Sequence, residues 1–227
     1  MLGLVLGTLR LPLIVLATGS PLAAAGTNIA ISAAAAGAGG LKHAREGRVD
    51  WRVVAWTAPP SVVGAVVGAL VADDVSESSL YAVIAAVLVW SGVDLALRPI
   101  APRARESLRV MWGGALAFLI GLLGGAVGVI LGTLRMPALV RSVGLDVRRA
   151  AGTNLVVGFL LGVAGFATHA AGQGIDWPIL TAGLAGALPG GWLGARATGR
   201  MSENTLRLAL GAVLVLVGLA FAVQAVV

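Results

Sequence analysis

The chain of 227 residues has no cysteine, two histidines and one tyrosine, and only 11% of it is charged. Without cysteine there can be no disulfide, no thiol nucleophile and no thiolate-held zinc or iron–sulfur centre. Two histidines leave little from which to build another metal site, so no metal or cofactor is expected. The sequence has no nucleophile paired with a base, no phosphate-cradling loop and no metal-ligand spacing, so it is not read as an enzyme. Its formal charge of +6 comes from short basic clusters between apolar segments. With no aromatic residues interleaved among them, a nucleic-acid surface is excluded as well.

What fills the chain is apolar. Hydrophobic residues make up 58% of it and the mean hydropathy is +0.96, the composition of an all-α, polytopic membrane protein. Its 33 glycines suit helices that pack closely in lipid, where small residues let backbones approach. The N-terminus has an apolar stretch leading to the small residues of SPLAAAG, as a signal peptide does. A signal peptide carries its charge before the apolar region, however, whereas Arg10 lies inside it.

That arginine belongs to a repeat. GTLRLP at 7–12 returns as GTLRMP at 132–137, and AGTN at 25–28 returns as AGTN at 151–154. His43 matches His169, VDW at 49–51 matches IDW at 175–177, Gly64 and Gly68 match Gly190 and Gly194, and Gly92 matches Gly218. The chain is therefore one transmembrane domain, 1–227, built of two fused halves: repeat one at 1–98, a basic linker at 99–110 and repeat two at 111–227. Repeat one has no counterpart of the apolar stretch Met111–Gly125. Either it has lost that element or the start lies upstream of Met1, and the sequence leaves both open.

Apolar segments fall at 2–18, 21–41, 52–72 and 79–97, then at 111–126, 128–140, 150–170, 178–195 and 204–226, which predicts about 7–9 membrane segments. Those at 111–126 and 128–140 reach only about 20 to 24 Å at the helical rise. They predict a broken or re-entrant hairpin, with Gly124, Gly125, Gly128, Gly132 and Pro137 as breakers.

All sixteen Lys and Arg except Arg10 and Arg135 fall into four predicted loops: Lys42 to Arg52, Arg98 to Arg109, Arg141 to Arg149, and Arg196 to Arg207. The connections TGS at 18–20, ADDVSESS at 72–79 and AAGQGID at 170–176 contain none. Cytoplasmic loops carry the excess of Lys and Arg, which places the basic loops on the cytoplasmic side of the cell membrane. KHAREGRVD is basic while its repeat copy THAAGQGID is not, and ADDVSESS is acidic while its copy ARATGRMSEN is basic. Equivalent loops thus fall on opposite sides, which predicts inverted-topology repeats, the arrangement of many secondary transporters.

Each half reads as a first helix ending in G-x-L-x-x-P, a small-residue helix opening with A-x-G-T-N, then H-x-x-x-G-x-(V/I)-D-W, a helix with G-x-x-x-G, a short S-E loop and a final apolar helix. This series resembles the sulfite exporter TauE/SafE family over nearly the whole chain, lacking only the first helix. The resemblance implies a permease for small sulfur-containing or organic anions such as sulfite, a sulfonate or a carboxylate. This chain departs from that family in having Arg10 and Arg135 where an apolar residue is usual.

An arginine at a helix centre costs about 2.5 to 3.5 kcal/mol on insertion scales, so two at equivalent positions suggest a use. Paired guanidiniums near the pseudo-twofold axis can hold an oxyanion bidentately. The alternative is that each snorkels to an interface or caps carbonyls freed by the helix break. Thr27, Asn28, Thr153 and Asn154 lie near the starts of equivalent helices, where free N–H groups attract anions, and Thr8 and Thr133 join them as candidate substrate contacts. These polar residues have their own alternative, in simply bonding helix to helix. His43 and His169 are expected at the membrane interfaces. Asp50 and Asp176 are expected to anchor helix N-termini beside Trp51 and Trp177, and Asp94 to pair with Arg98 one helical turn away. The expected partners are the lipid bilayer and a small anion, with a second copy of the chain as a candidate. Alternating access is the leading mechanism. A scaffold subunit that retains the fold, or an anion channel, is the alternative.

Overall fold

A computed structural model describes residues 10–11, 13–14, 17–71, 76–97, 110–172, 175–200 and 202–226. These residues are helical with short connections, and among them there is no strand. The helices are α1 (Pro21–Arg45), α2 (Trp51–Leu70), α3 (Glu77–Leu97), α4 (Val110–Val127), α5 (Gly132–Pro137), α6 (Val147–Gly172), α7 (Trp177–Arg200) and α8 (Glu203–Val226). The protein is thus an all-helical membrane protein. Trp51–Leu70 and Val147–Ala171 are long and apolar enough by themselves to cross a bilayer. The basic linker and the Asp94–Arg98 pair lie outside the described residues and side chains.

The helices overrun the apolar segments, and several basic residues expected in loops are helical. Lys42 and Arg45 sit in the last turn of α1, Arg148 and Arg149 in the first turn of α6, and Arg196 and Arg200 toward the end of α7. Hydrophobicity marks where lipid ends rather than where the backbone stops being helical, and cations in a final turn complement the helix dipole. The starts follow capping rules. The Ser20 hydroxyl accepts from the Ala23 N–H ahead of Pro21, and the Asp50 carboxylate accepts from the N–H groups of Arg52 and Val53. Asp176 caps α7 in the same way, through the Ile179 N–H.

The predicted broken hairpin is present. α4 ends at Val127, and Gly128 takes φ +73°, a left-handed conformation that favours glycine. Three non-helical residues later the short α5 begins, and it widens into a π-helical turn at Ala138–Ser142.

The packing expresses the repeat. α1 and its equivalent α6 lie antiparallel: Gly26 faces His169, Ala33 faces Gly162, and His43 faces Gly152. Gly26 and Gly152 are repeat-equivalent, as are the two histidines, so each half's glycine receives the other half's histidine. α3 and α8 also pair across the repeat, with Gly92 against the Gly211 carbonyl and Gly218 against Val89. The other large contacts also cross between halves. α2 packs on α4 and α6, and α7 packs on α1. The two sequence halves, 1–98 and 111–227, therefore interleave: α1 packs on both α6 and α7, and α2 packs on both α4 and α6.

The ends of this bundle differ in charge. At one end Arg149 reaches Asp50 at 3.7 Å, and Lys42 and Arg48 each reach Glu46 at 2.7 Å. Lys42 and Arg45 also lie 5.2 and 5.8 Å from the ring of Trp192 on α7. The hydrogen bond from Lys42 holds the Glu46 carboxyl below its usual pKa. At the other end Ile175 and Asp176 meet Gly26 and Thr27, without a lysine or arginine among those residues.

Candidate functional site

The three residues Gly-Thr-Asn lie past the first turn of α1 and of α6, beyond the free N–H groups at the helix start where the sequence suggested them, and each has a separate job. Glycine leaves room for the opposing histidine. The Thr27 hydroxyl accepts from the Asp176 N–H at 3.1 Å, and the Thr153 hydroxyl accepts from the Asp50 N–H at 2.9 Å. Each threonine therefore ties its helix to the start of the crossed-over helix from the other half. Both hydroxyls are buried, and each retains a proton to donate.

The asparagines meet the arginines. Arg10 donates through Nε to Asn28 Oδ1 at 3.1 Å, and its terminal nitrogen donates to the Asn28 carbonyl at 3.3 Å and to Ser32 Oγ at 3.0 Å. Arg135 donates to Asn154 Oδ1 at 2.9 Å and to Ser61 Oγ at 3.4 Å. Arginine and asparagine thus meet at equivalent positions in both halves. Arg135 is 2% exposed, and its Nε has no hydrogen-bond partner among the described residues. No ion pair among those residues involves Arg10 or Arg135. A buried cation without a countercharge is costly.

Backbone carbonyls on either side of the loop between α4 and α5 accept from asparagine side chains. Asn154 Nδ2 donates to the Gly132 carbonyl at 2.7 Å, and Asn28 Nδ2 donates to the Gly128 carbonyl at 3.0 Å. An amide can do this because one end accepts while the other donates. Each asparagine therefore closes the break and orients a guanidinium, and the arginine keeps spare donors. Asn28 also links the Arg10 half-site to the break that precedes Arg135.

The two arginines are held by different helices. Arg10 is held by Asn28 and Ser32 of α1, whereas Arg135 is held by Asn154 of α6 and Ser61 of α2. Thr8 lies outside the described residues, and Thr133 is described only by its place in α5.

The sequence reading missed Ser32 and Ser61. Their repeat counterparts are Gly158 and Ala187, so a search for paired polar residues passes over them. Ser61 follows Pro59 and Pro60 within α2 and also donates to the Ala117 carbonyl at 3.1 Å. The histidines, expected at membrane interfaces, lie in the last turns of α1 and α6 and are buried within the protein, 0% exposed for His43 and 1% for His169. The opposing glycines open the space that admits them. Asp50 and Asp176 cap helices as expected, with Trp51 and Trp177 61% and 62% exposed beside them.

Comparison with known proteins agrees with this architecture. The family described as Sulfite exporter TauE/SafE matches residues 1–221. A probable membrane transporter protein of Xylella fastidiosa is 28% identical over 86% of this chain and 78% of its own length. The probable membrane transporter protein YunE of Bacillus subtilis is 32% identical over 47% of this chain, a match that spans 39% of that relative. No solved structure matches.

Proposed function

Because the chain belongs to the sulfite exporter TauE/SafE family, we propose that it is a secondary permease moving a small anion across the cytoplasmic membrane, with Arg10 and Arg135 as the anion's partners. The substrate class is sulfite, a sulfonate, another organosulfur anion or a carboxylate, carried unchanged. The observation that carries this reading is the symmetric pair of guanidiniums, each oriented by an asparagine and neither paired with a carboxylate among the described residues. A planar fork with free N–H groups matches the oxygens of such anions, and burial strengthens the interaction.

The alternating-access reading is supported by the two arginines being held by different helices, Arg10 by α1 and Arg135 by α6 and α2. In this reading, rocking of α1 and α7 against α6, α2 and α4 moves Arg10 relative to Arg135. The hinge is the antiparallel α1–α6 contact, whose small residues allow sliding without large side chains to unlock. The basic end of the bundle faces the cytoplasm, in keeping with the positive-inside rule. Substrate contacts beyond the arginines are Asn28 and Asn154, with Thr27, Thr153, Thr8 and Thr133 near the same breaks.

Counterflow in proteoliposomes tests this. Vesicles preloaded with sulfite, a sulfonate or a carboxylate should accumulate the labelled anion, and Arg10→Ala and Arg135→Ala should abolish that accumulation while still inserting and purifying normally. Unchanged counterflow in both variants rejects the arginine site, and flux that neither saturates nor exchanges identifies a channel.

A further inference from the structure

Where α2 and α6 begin, a cavity of about 300 Å³ has Val53 and Leu145 in its apolar lining. That is the small end of the range in which ligands are held, about 300 to 1,000 Å³. Four charged side chains also line it: Asp50 and Arg52 from the start of α2, and Asp146 and Arg149 from the start of α6. The two acids have a structural use. Asp50 accepts from the N–H groups of Arg52 and Val53, and Asp146 from those of Arg148 and Arg149. The two arginines have no such use. Each stands in the first turn of its helix, where the helix dipole disfavours a cation. Arg149 reaches Asp50 only at 3.7 Å, with its side chain 49% exposed. The Arg52 side chain has no hydrogen bond or ion pair among the described residues.

The repeat shows what capping alone requires. The counterparts of Asp146 and Asp50 are Ser20 and Asp176, which also cap helices. The counterparts of Arg149 and Arg52 are Ala23 and Pro178. Both halves therefore have the caps, and only one cap pair has the arginines. The positive-inside rule accounts for basic residues at this end of the bundle, but it does not ask that two of them converge on one cavity.

The face of α2 beside the cavity is uncovered. Arg52, Trp56, Pro59 and Val63 fall at i, i+4, i+7 and i+11, on one side of the helix, and all four are exposed. Trp51 and Trp56 are each 61% exposed, and exposed tryptophan is enriched at the level of lipid headgroups. An apolar stripe thus runs down α2 from the Arg52 edge of the cavity into the bilayer.

We propose that this cavity is a binding site for one membrane glycerophospholipid with a zwitterionic, amine-bearing headgroup. Its phosphate lies between the guanidiniums of Arg52 and Arg149, whose forked N–H donors match phosphate oxygens. Its ammonium faces the Asp146 carboxylate, and an acyl chain follows Trp56 and Val63 along α2. Two arginines and two aspartates leave the lining without net charge, which complements a zwitterion better than an anionic headgroup. The cavity holds the headgroup only, and the chains stay in the bilayer.

Native mass spectrometry of lipid retention tests this, and as a binding measurement it is independent of transport. The full-length chain, washed in detergent, is incubated with equal amounts of phosphatidylethanolamine and phosphatidylglycerol bearing the same acyl chains. The ethanolamine lipid should be retained several-fold more. Arg52→Gln should remove that excess while the chain still folds, because the Arg52 side chain has no partner to lose. Arg45→Gln, which alters a cation at the same end of the bundle but outside the cavity, should leave the excess intact. Asp146→Asn should bring the two lipids level, since asparagine still caps a helix but no longer attracts an ammonium. Equal retention of the two lipids by the unaltered chain overturns the proposal, and so does an excess that survives Arg52→Gln. An excess that survives Asp146→Asn overturns the place given to the ammonium. Displacement of the lipid by an equal concentration of soluble glycerophosphoethanolamine overturns the lipid assignment and makes this a site for a water-soluble phosphate ester.

Discussion

The Arg10 and Arg135 half-sites occupy the same position in the repeat, yet they are finished differently. Both arginines donate to an asparagine side-chain oxygen. The accompanying hydroxyl comes from α1 itself for Arg10, as Ser32, and from the crossed-over α2 for Arg135, as Ser61. Arg10 is half-buried, while Arg135 is closed in with an unpartnered Nε. Duplication has thus preserved the element that orients the guanidinium and has let the hydroxyl be found wherever a neighbouring helix offered one.

The sharpest way to break this equivalence is to supply the missing countercharge. Asn28→Asp and Asn154→Asp each place a carboxylate against the arginine, so each should fold and abolish counterflow, because the internal ion pair replaces the substrate. Retained transport in either variant would mean that its arginine does not meet the anion. The aspartate also loses the amide donor to the break carbonyl. Its melting temperature should therefore be compared with the matching alanine variant, which loses both bonds and should be the less stable.

The next largest effect separates the two glycines that admit histidine. A Cβ at Gly152 would collide with the Arg48 backbone carbonyl, whereas one at Gly26 would meet side-chain atoms of Ile175 and His169. Backbone yields less readily than a side-chain tip. Gly152→Ala should therefore cost about 1–3 kcal/mol, as overpacking generally does, and Gly26→Ala less, with thermal unfolding in detergent as the measurement. Equal losses would show that the two ends of the α1–α6 pair are equally rigid.

Thr27→Val and Thr153→Val should behave alike, since each removes one buried acceptor from the N–H of a capping aspartate. Interhelical hydrogen bonds in membranes contribute about 0.6 to 2 kcal/mol, and a drop in melting temperature of equal size in the two variants is expected. A loss of transport at unchanged stability would instead make these hydroxyls substrate contacts.

The smallest effect is expected at the serines. Ser32→Ala and Ser61→Ala should raise the KM for the anion by a few-fold through looser guanidinium orientation. Ser61→Ala should have the larger effect, because it leaves the buried Arg135 with fewer partners. The reverse order would place the tighter half-site at Arg10.

Much of the architecture was legible in the residues because it rests on local signals. Hydrophobic runs, glycine and proline breaks and the recurring GTLR and AGTN series show a helical, duplicated membrane protein, and Asp50 and Asp176 were readable as caps from their place before tryptophan. The charge split between equivalent loops anticipated the antiparallel α1–α6 pair. The helix ends were harder to read, because Lys42, Arg45 and Arg196 are helical beyond the apolar stretch. Ser32 and Ser61 were hidden because neither has a polar counterpart in the other half. The burial of His43 and His169 was hidden for a different reason, since it depends on glycines from the opposite repeat.

The sequence by itself determined the elements and their twofold kinship, since helix formation in lipid depends on composition and on i-to-i+4 bonding within each segment. Only the tertiary structure decided the partners. It showed that α2 and α7 cross to the other half, that asparagine side chains bond backbone carbonyls around the helix break, and that the two guanidiniums are held by different helices. Those choices depend on distances between residues far apart in the chain, and close packing of small side chains sets those distances only when all the helices are in place.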